Sequence, residues 1–377
     1  MIKNSEVNEQ LLFDPKIYKN TLLDLIESSQ SEIRLSTYIF GMDEFGSEIE
    51  EALIQKSKQG VKVRLIVDGY GSGDWIREKL PELKHENMEI RVYHPLPWPF
   101  SKPTLSELPR LDRLLIMLSH WNSRCHQKVL MVDETICSLG SRNICNNSVE
   151  WRETNILVKG EVIHEVKGVF EEIWMYSNNK FLRGIARGNI YKKYKVFKDF
   201  KRIFSNHSFF LRKKNQELLL ERIRSAKNHI RITTPYFSPT RKIFKNLCKK
   251  ATSGVEVSIL LPKLSDVRIS KWISQMHYEY LMKNGVNVYE YNPRILHAKS
   301  IIIDDLAIIG SSNFNRRSFL RDLEIDYSVE RIETVEELNQ QFAVDIESST
   351  KIIHLAEMNF FHRILARMAI KIAPSWF

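Results

Sequence analysis

The chain reads itself twice. SEIRLSTYIF (31–40) returns as NHIRITTPYF (228–237). Each copy is followed by a helical stretch ending at a glycine, Gly60 or Gly254, and then by a second apolar strand, VKVRLIVD or VEVSILLP. MEIRVYHP (88–95) matches VNVYEYNP (286–293), and CHQKVLMVD…GSRN matches LHAKSIIID…GSSN. Internal similarity of this extent fixes the architecture before any single residue does. The order strand, helix, strand, helix, strand, strand occurs in both copies, which predicts two α/β halves with mostly parallel strands covered by helices. The first half occupies residues 1–176 and the second 216–350. A connector dense in Lys and Arg (177–215), with Asp199 as its one acid, and a tail (351–377) complete the chain. The first copy carries about 23 extra residues, within 95–125, ahead of its histidine.

Composition narrows the partners. Of 377 residues, 43% are hydrophobic and 27% charged, enough to build large cores and to exclude wholesale disorder. The formal net charge of +10 asks for an anionic partner: nucleic acid, an acidic membrane surface or a phosphate-bearing substrate. Cys125, Cys137, Cys145 and Cys248 show no CxxC pairing, so neither a zinc knuckle nor a disulfide scaffold is expected. The polar start, MIKNSEVNEQ, has no apolar h-region, and no run approaches 18 uncharged apolar residues.

The repeated motifs carry the chemistry. The first is His126, Lys128, Asp133 and Gly140-Ser141-Arg142-Asn143; the second is His297, Lys299, Asp304 and Gly310-Ser311-Ser312-Asn313. On a strand, residues i and i+2 share a face, so each histidine projects with its lysine. Asp133 and Asp304 fall at odd parity and read as structural acceptors for turn N–H groups. After a hairpin, each GSxN segment returns a hydroxyl and an amide to the His/Lys side, its glycine permitting the tight turn. Two cations and several neutral donors suit a phosphodiester, whose negative charge grows as phosphorus becomes five-coordinate. One neutral histidine can attack phosphorus and a protonated one can supply the leaving oxygen with its proton. Each half provides one histidine, so a single composite site needs both. No metal or other cofactor is expected, because each lysine would repel a cation and no carboxylate cluster accompanies it.

These motifs resemble the HKD signature of the phospholipase D superfamily, and the resemblance spans about residues 10–350. WRETN (151–155), VDGYGS (67–72), TPYFSPT (234–240) and GSSNFNRRSFLRDLE (310–324) are similar to elements of the bacterial cardiolipin synthases, in the short type without N-terminal transmembrane helices. The resemblance implies two similar α/β/α sandwich halves related by a pseudo-twofold axis around one cleft. It implies two-step transfer through a phosphohistidine, with His126 as nucleophile and His297 as acid and base; the halves alone do not decide between the two. Lys128, Lys299, Asn143 and Asn313 would hold the phosphoryl oxygens, with Ser141 and Ser311 on the substrate side. An acidic residue downstream of each motif would orient a histidine: Glu324 after the second, and Glu153, or more weakly Glu150, after the first. The second motif is one residue shorter between Asp304 and Gly310, a deletion the hairpin turn should absorb. Glu153 stands where the related elements carry aspartate.

The implied reaction is phosphatidyl transfer, giving cardiolipin from phosphatidylglycerol with phosphatidylglycerol or phosphatidylethanolamine as co-substrate. The alternatives are a phospholipase D, a metal-independent nuclease of the same fold, and a catalytically silent binding protein. Two features favour a lipid and a membrane surface over nucleic acid. Pro95, Leu96, Pro97, Trp98, Pro99 and Phe100 read as an interfacial loop or as a buried cover on the core. In FFHRILARMAIKIAPSWF, Phe360, Ile364, Met368 and Ile372 share one helical face and Arg363, Arg367 and Lys371 another, which suits peripheral binding to an anionic bilayer, on the cytoplasmic side of a bacterial membrane, or docking on the protein.

Overall fold

The computed structural model of the chain describes residues 8–83, 85–95, 123–178, 202–354 and 360–372. The aromatic run 96–100 and most of the basic connector lie outside these residues. The first half runs β1 (Asn8–Leu12), α1 (Pro15–Ser28), β2 (Glu32–Thr37), α2 (Glu44–Lys58), β3 (Lys62–Asp68), α3 (Gly73–Glu78), β4 (Met88–Tyr93), β5 (Val129–Val132), β6 (Ile136–Gly140), α4 (Asn146–Glu150), β7 (Asn155–Lys159) and α5 (Val162–Asn178). The second runs β8 (Ile203–Ser205), α6 (Phe209–Ser225), β9 (His229–Thr233), α7 (Arg241–Thr252), β10 (Glu256–Pro262), α8 (Arg268–Lys283), β11 (Asn287–Tyr291), β12 (Ser300–Ile303), β13 (Leu306–Gly310), α9 (Arg316–Leu320), β14 (Ile325–Val329), α10 (Ile332–Glu347), β15 (Ser349–Lys351) and α11 (Phe360–Ile372).

The strand orders are β1-β7-β6-β5-β2-β3-β4 and β15-β11-β10-β9-β12-β13-β14-β8. Both sheets are mixed, which corrects the expectation of mostly parallel strands. Among the described strands, only β2-β3-β4 and β9-β10-β11 run parallel. The histidine strands β5 and β12 form hairpins with β6 and β13 and pair antiparallel with β2 and β9, so every strand added on that side alternates in direction. The hairpin takes up the missing residue as expected: Val132 pairs with Ile136 across a three-residue turn, and Ile303 with Leu306 across two residues. The repeat also extends further than the sequence reading. β1-α1 and β8-α6 are equivalent, so the second sheet begins inside the stretch read as connector.

Local chemistry explains the elements. Asp14 caps α1 by accepting from the N–H groups of Lys16 and Ile17, with Pro15 at the first helical position, and Tyr18, Leu22 and Ile26 point inward at four-residue spacing. One apolar cluster lies beneath α1 and α2 and another beneath α6 and α7. A third is shared by the two sheets: Val129, Met131, Leu139 and Ile156 from the first pack with Ile302, Ile309, Ile325 and Tyr327 from the second, together with α5 and α10. Buried polar ties cross the same plane. Arg152 forms a two-pronged ion pair with Asp345 (3.0 and 2.8 Å), and Glu9 accepts from the Tyr327 hydroxyl.

Candidate active site

The histidine strands do not begin as ladder strands of their own sheets. Cys125 bridges to Leu323, and Leu296 to Arg152, so each half leans on the segment that follows the other half's GSxN motif. The His126 N–H donates to the Leu323 carbonyl (2.9 Å) and the His297 N–H to the Arg152 carbonyl (2.8 Å). This backbone exchange places a carboxylate of one half against the histidine of the other. His126 Nδ1 lies 3.0 and 3.1 Å from the Glu324 oxygens, and His297 Nδ1 lies 2.6 Å from Glu153 Oε1. Both carboxylates are fully buried, whereas Glu150 is exposed at the end of α4. A carboxylate on Nδ1 fixes the tautomer and leaves Nε2 as the reacting nitrogen.

The lysines converge with the rings. Lys128 Nζ donates to the His126 carbonyl and Lys299 Nζ to the His297 carbonyl, both at 2.7 Å, and Lys299 Nζ lies 3.1 Å from His297 Nε2. Asn143 and Asn313 are buried. Asn143 Oδ1 accepts from the Ile39 N–H, which turns its amide NH2 away from that contact. Ser141 and Ser311 are each tied within their own half. Ser141 Oγ donates to the Thr154 carbonyl and accepts from the Thr154 N–H (both 3.0 Å), and Ser311 Oγ donates to Glu324 at 2.6 Å. Each hydroxyl straps its motif to the neighbouring strand. The motif glycines also serve differently from the expected turn. A Cβ at Gly140 would meet the Thr154 carbonyl oxygen at 2.5 Å, and one at Gly310 would meet the Ile325 carbonyl oxygen at 2.5 Å, so close strand approach requires them.

Electrostatics separate the two rings. Burial, reinforced by the charges of Lys128 and Lys299, holds His126 well below the ordinary imidazole value, so it is neutral at pH 7. His297 is lowered by burial too, and the opposing pull of Glu153 offsets only part of it. Burial works to raise Glu153, yet His297 and Lys299 beside it hold it down at about 2. Glu324 is pushed up to about 7 by burial, against the pull of Lys128 and the hydroxyls of Ser311 and Ser318. His297 therefore sits against a firm anion and His126 against a carboxyl near its midpoint.

Known proteins carry the same arrangement of sequence. The cardiolipin synthase, PLD-like domain family matches residues 22–174 and 219–346, one match on each half. The chain belongs to that family. Among its relatives are a cardiolipin synthase of Halalkalibacterium halodurans, 30% identical over 97% of this chain and 72% of that one. Another, from Alkalihalophilus pseudofirmus, is 28% identical over 97% and 71%. The fold is that of a crystal structure of phosphatidylserine synthase from Haemophilus influenzae Rd KW20 (TM-score 0.70, 13% identity, covering 97% of this chain and 93% of that one). In this member of the cardiolipin synthase family, no helix among the described residues is long and apolar enough to cross a membrane.

Several residues around the rings escape a motif-based reading. Tyr38 packs against His126 with centroids 5.0 Å apart and lies beneath Lys128; Trp151 meets His297 edge-on at 5.2 Å. Ser318 Oγ donates to Glu324 at 2.6 Å. A serine recurs five residues after each motif asparagine (Ser148, Ser318), a signal that could have revealed it.

Asp133 and Asp304 lie outside the cleft, as their parity requires. Asp133 accepts from the N–H groups of Gln30, Ser31 and Glu32 (2.8–2.9 Å), and Asp304 from those of Lys227, Asn228 and His229 (2.8–2.9 Å). Partial burial works to raise both carboxyls, but these donors hold them below the usual range. Asp133→Ala is expected to cost about 2–3 kcal/mol in urea unfolding, from charge-assisted bonds lost at the start of β2. Turnover per folded molecule should be unchanged; a large loss of specific activity without destabilisation would contradict this placement.

Proposed function

We propose that this chain is a phospholipase D-type phosphatidyltransferase that makes cardiolipin from phosphatidylglycerol through a phosphohistidine. The reading rests on the exchange of carboxylates between halves, which makes the two histidines one site and gives them unequal partners. Neutral His126 attacks the phosphorus of a bound phosphatidylglycerol. The N–P bond forms as the bond to the glycerol oxygen breaks, and His297, in the protonated form that Glu153 supports, gives that oxygen its proton. The hydroxyl of a second phosphatidylglycerol then loses its proton to His297, attacks phosphorus and frees His126. Lys128, Lys299, Asn143 and Asn313 hold the non-bridging oxygens, whose charge grows in both transition states. Phosphatidylethanolamine offers the same phosphodiester as a donor.

The lysines predict the pH response. Burial, with repulsion from Lys299, draws Lys128 down to about 7, and burial draws Lys299 down to about 8 against the pull of Glu153 and Glu324. A lysine with a depressed value is charged below it and neutral above it. kcat/KM is therefore expected to fall as pH rises through about 7–8, an apparent value belonging to the pair. Lys128→Arg, charged throughout, should move that limb upward; a profile flat to pH 9 in the parent enzyme would count against the phosphate-binding role.

Contact with an anionic bilayer is part of the proposal. α11 docks on α8, where Trp272 stacks on His362 (4.1 Å) and Ala366 is buried. Phe361, Ile364 and Met368 nevertheless remain exposed beside Arg363, Arg367 and Lys371. The side chains of Phe360 and Ile372 lie outside the described residues. The test of function is incubation with phosphatidylglycerol vesicles, with and without phosphatidylethanolamine, followed by lipid mass spectrometry. Cardiolipin is expected in both. Phosphatidic acid alone would assign hydrolysis, and cleavage of DNA with untouched lipid would assign a nuclease.

A further inference from the structure

The two halves differ beneath their first helices. In the first half the space between α1 and its sheet is filled. Tyr18, Leu22 and Leu157 are buried there, and Arg142 reaches in over the Tyr18 ring (5.1 Å) to donate to the carbonyls of Phe13 and Ser148. The matched strand registers and helix starts place Arg212, Gln216, Ser328 and Ser312 at the equivalent positions of the second half. Arg212 turns aside to the carbonyls of Leu320 and Arg321 (3.0 and 2.7 Å), and Ser312 is too short to take the place of Arg142. A cavity of about 380 Å³ remains between α6 and β12-β13-β14-β8. Close-packed interiors hold few voids of that size, and this volume lies in the range of ligand pockets.

The lining states what would fit. Phe204, Leu219, Ile301, Ile308, Phe314 and Phe319 form apolar walls. The charged lining residues are Arg212, Lys214, Arg222 and Lys299 against Asp326, four cations to one carboxylate. Amides on the α6 side, Asn215 and Gln216, add hydrogen-bonding groups near three of those cations. The inner end backs onto Lys299 and Asn313, while His126, His297, Lys128 and Asn143 do not line the cavity. We propose that this cavity, which shares Lys299 and Asn313 with the transfer cleft but none of its histidines, is a second ligand site for a single-chain anionic amphiphile. Its carboxylate or phosphate head lies along the basic side of α6 and its hydrocarbon chain against the aromatic and aliphatic walls.

The site is tested by calorimetric titration below the micellar concentration on the full chain carrying His126→Ala, so that no transfer accompanies binding. The probes are lysophosphatidylglycerol and laurate, whose comparison separates a phosphate from a carboxylate source. An uncharged monoacylglycerol and chain-free glycerol phosphate are the controls. Saturable one-to-one binding of at least one anionic amphiphile is expected, with both controls at least tenfold weaker. Ser328→Leu, which installs the first half's residue, should weaken that binding at least tenfold while thermal melting is kept. Gln216→Leu carries the same test if that variant does not fold. Arg222→Glu should weaken the anionic probe and leave the monoacylglycerol unchanged. Affinity equal to that of the parent in the filled variants places the amphiphile in the transfer cleft and overturns the proposal, as does the absence of saturable binding.

Discussion

Replacing His126 by alanine is expected to lower cardiolipin formation by about 10⁴-fold or more, because the nucleophile itself is removed. His297→Ala should lower it by about 10²–10⁴-fold, the usual worth of a positioned acid and base. The doubly substituted enzyme should be no worse than His126→Ala, since residues acting as a unit lose their function together. Both rings are buried among intact partners, so circular dichroism and thermal melting should report a folded protein in each case. Lipid mass spectrometry over a fixed interval measures the ratios. Multiplied losses would mean that the two histidines serve separate reactions.

The second large effect concerns the exchanged carboxylates. Glu153→Gln keeps the shape and hydrogen-bonding reach but removes the anion against His297, 2.6 Å away in the other half. Without it the imidazolium is not supported, and a loss of about 10³-fold is expected. Glu324, drawn up to about 7 by burial, is already partly neutral, so Glu324→Gln should cost only about tenfold near pH 7. Glu153→Gln should impair a natural substrate far more than a phosphatidyl ester of p-nitrophenol, whose leaving group needs no proton. Equal sensitivity of both substrates would remove His297 from the role of acid.

The sequence carried the reacting groups because β-strand parity is strict. His126 with Lys128, and His297 with Lys299, had to share a face, and Asp133 and Asp304 had to leave it; the hydrogen bonds of both aspartates agree with that parity. Glu153 and Glu324 were recognisable as histidine partners through the family resemblance, which places an acidic residue downstream of each motif. Which histidine each one meets was not, because a repeat defines each half separately and the Cys125–Leu323 and Leu296–Arg152 bridges cross between halves. The partners of Ser141 and Ser311 were hidden for a related reason: spacing brings a hydroxyl near the site without saying which strand accepts its proton. The strand directions were misjudged because alternating and continuous apolar runs mark strands without giving their sense. β8 was hidden by its shortness within a basic stretch, and Tyr38 was hidden because the repeat puts Pro235, not a second aromatic ring, opposite it.

The central claim is that both halves act on one phosphorus atom. Phosphatidylglycerol labelled at phosphorus, mixed rapidly with His297→Ala and quenched in base, tests it most directly. The account predicts acid-labile label on the peptide containing His126, formed faster with the p-nitrophenyl ester than with phosphatidylglycerol and absent from His126→Ala. Label on His297 in the parent enzyme, or steady cardiolipin synthesis with no labelled histidine, would contradict it.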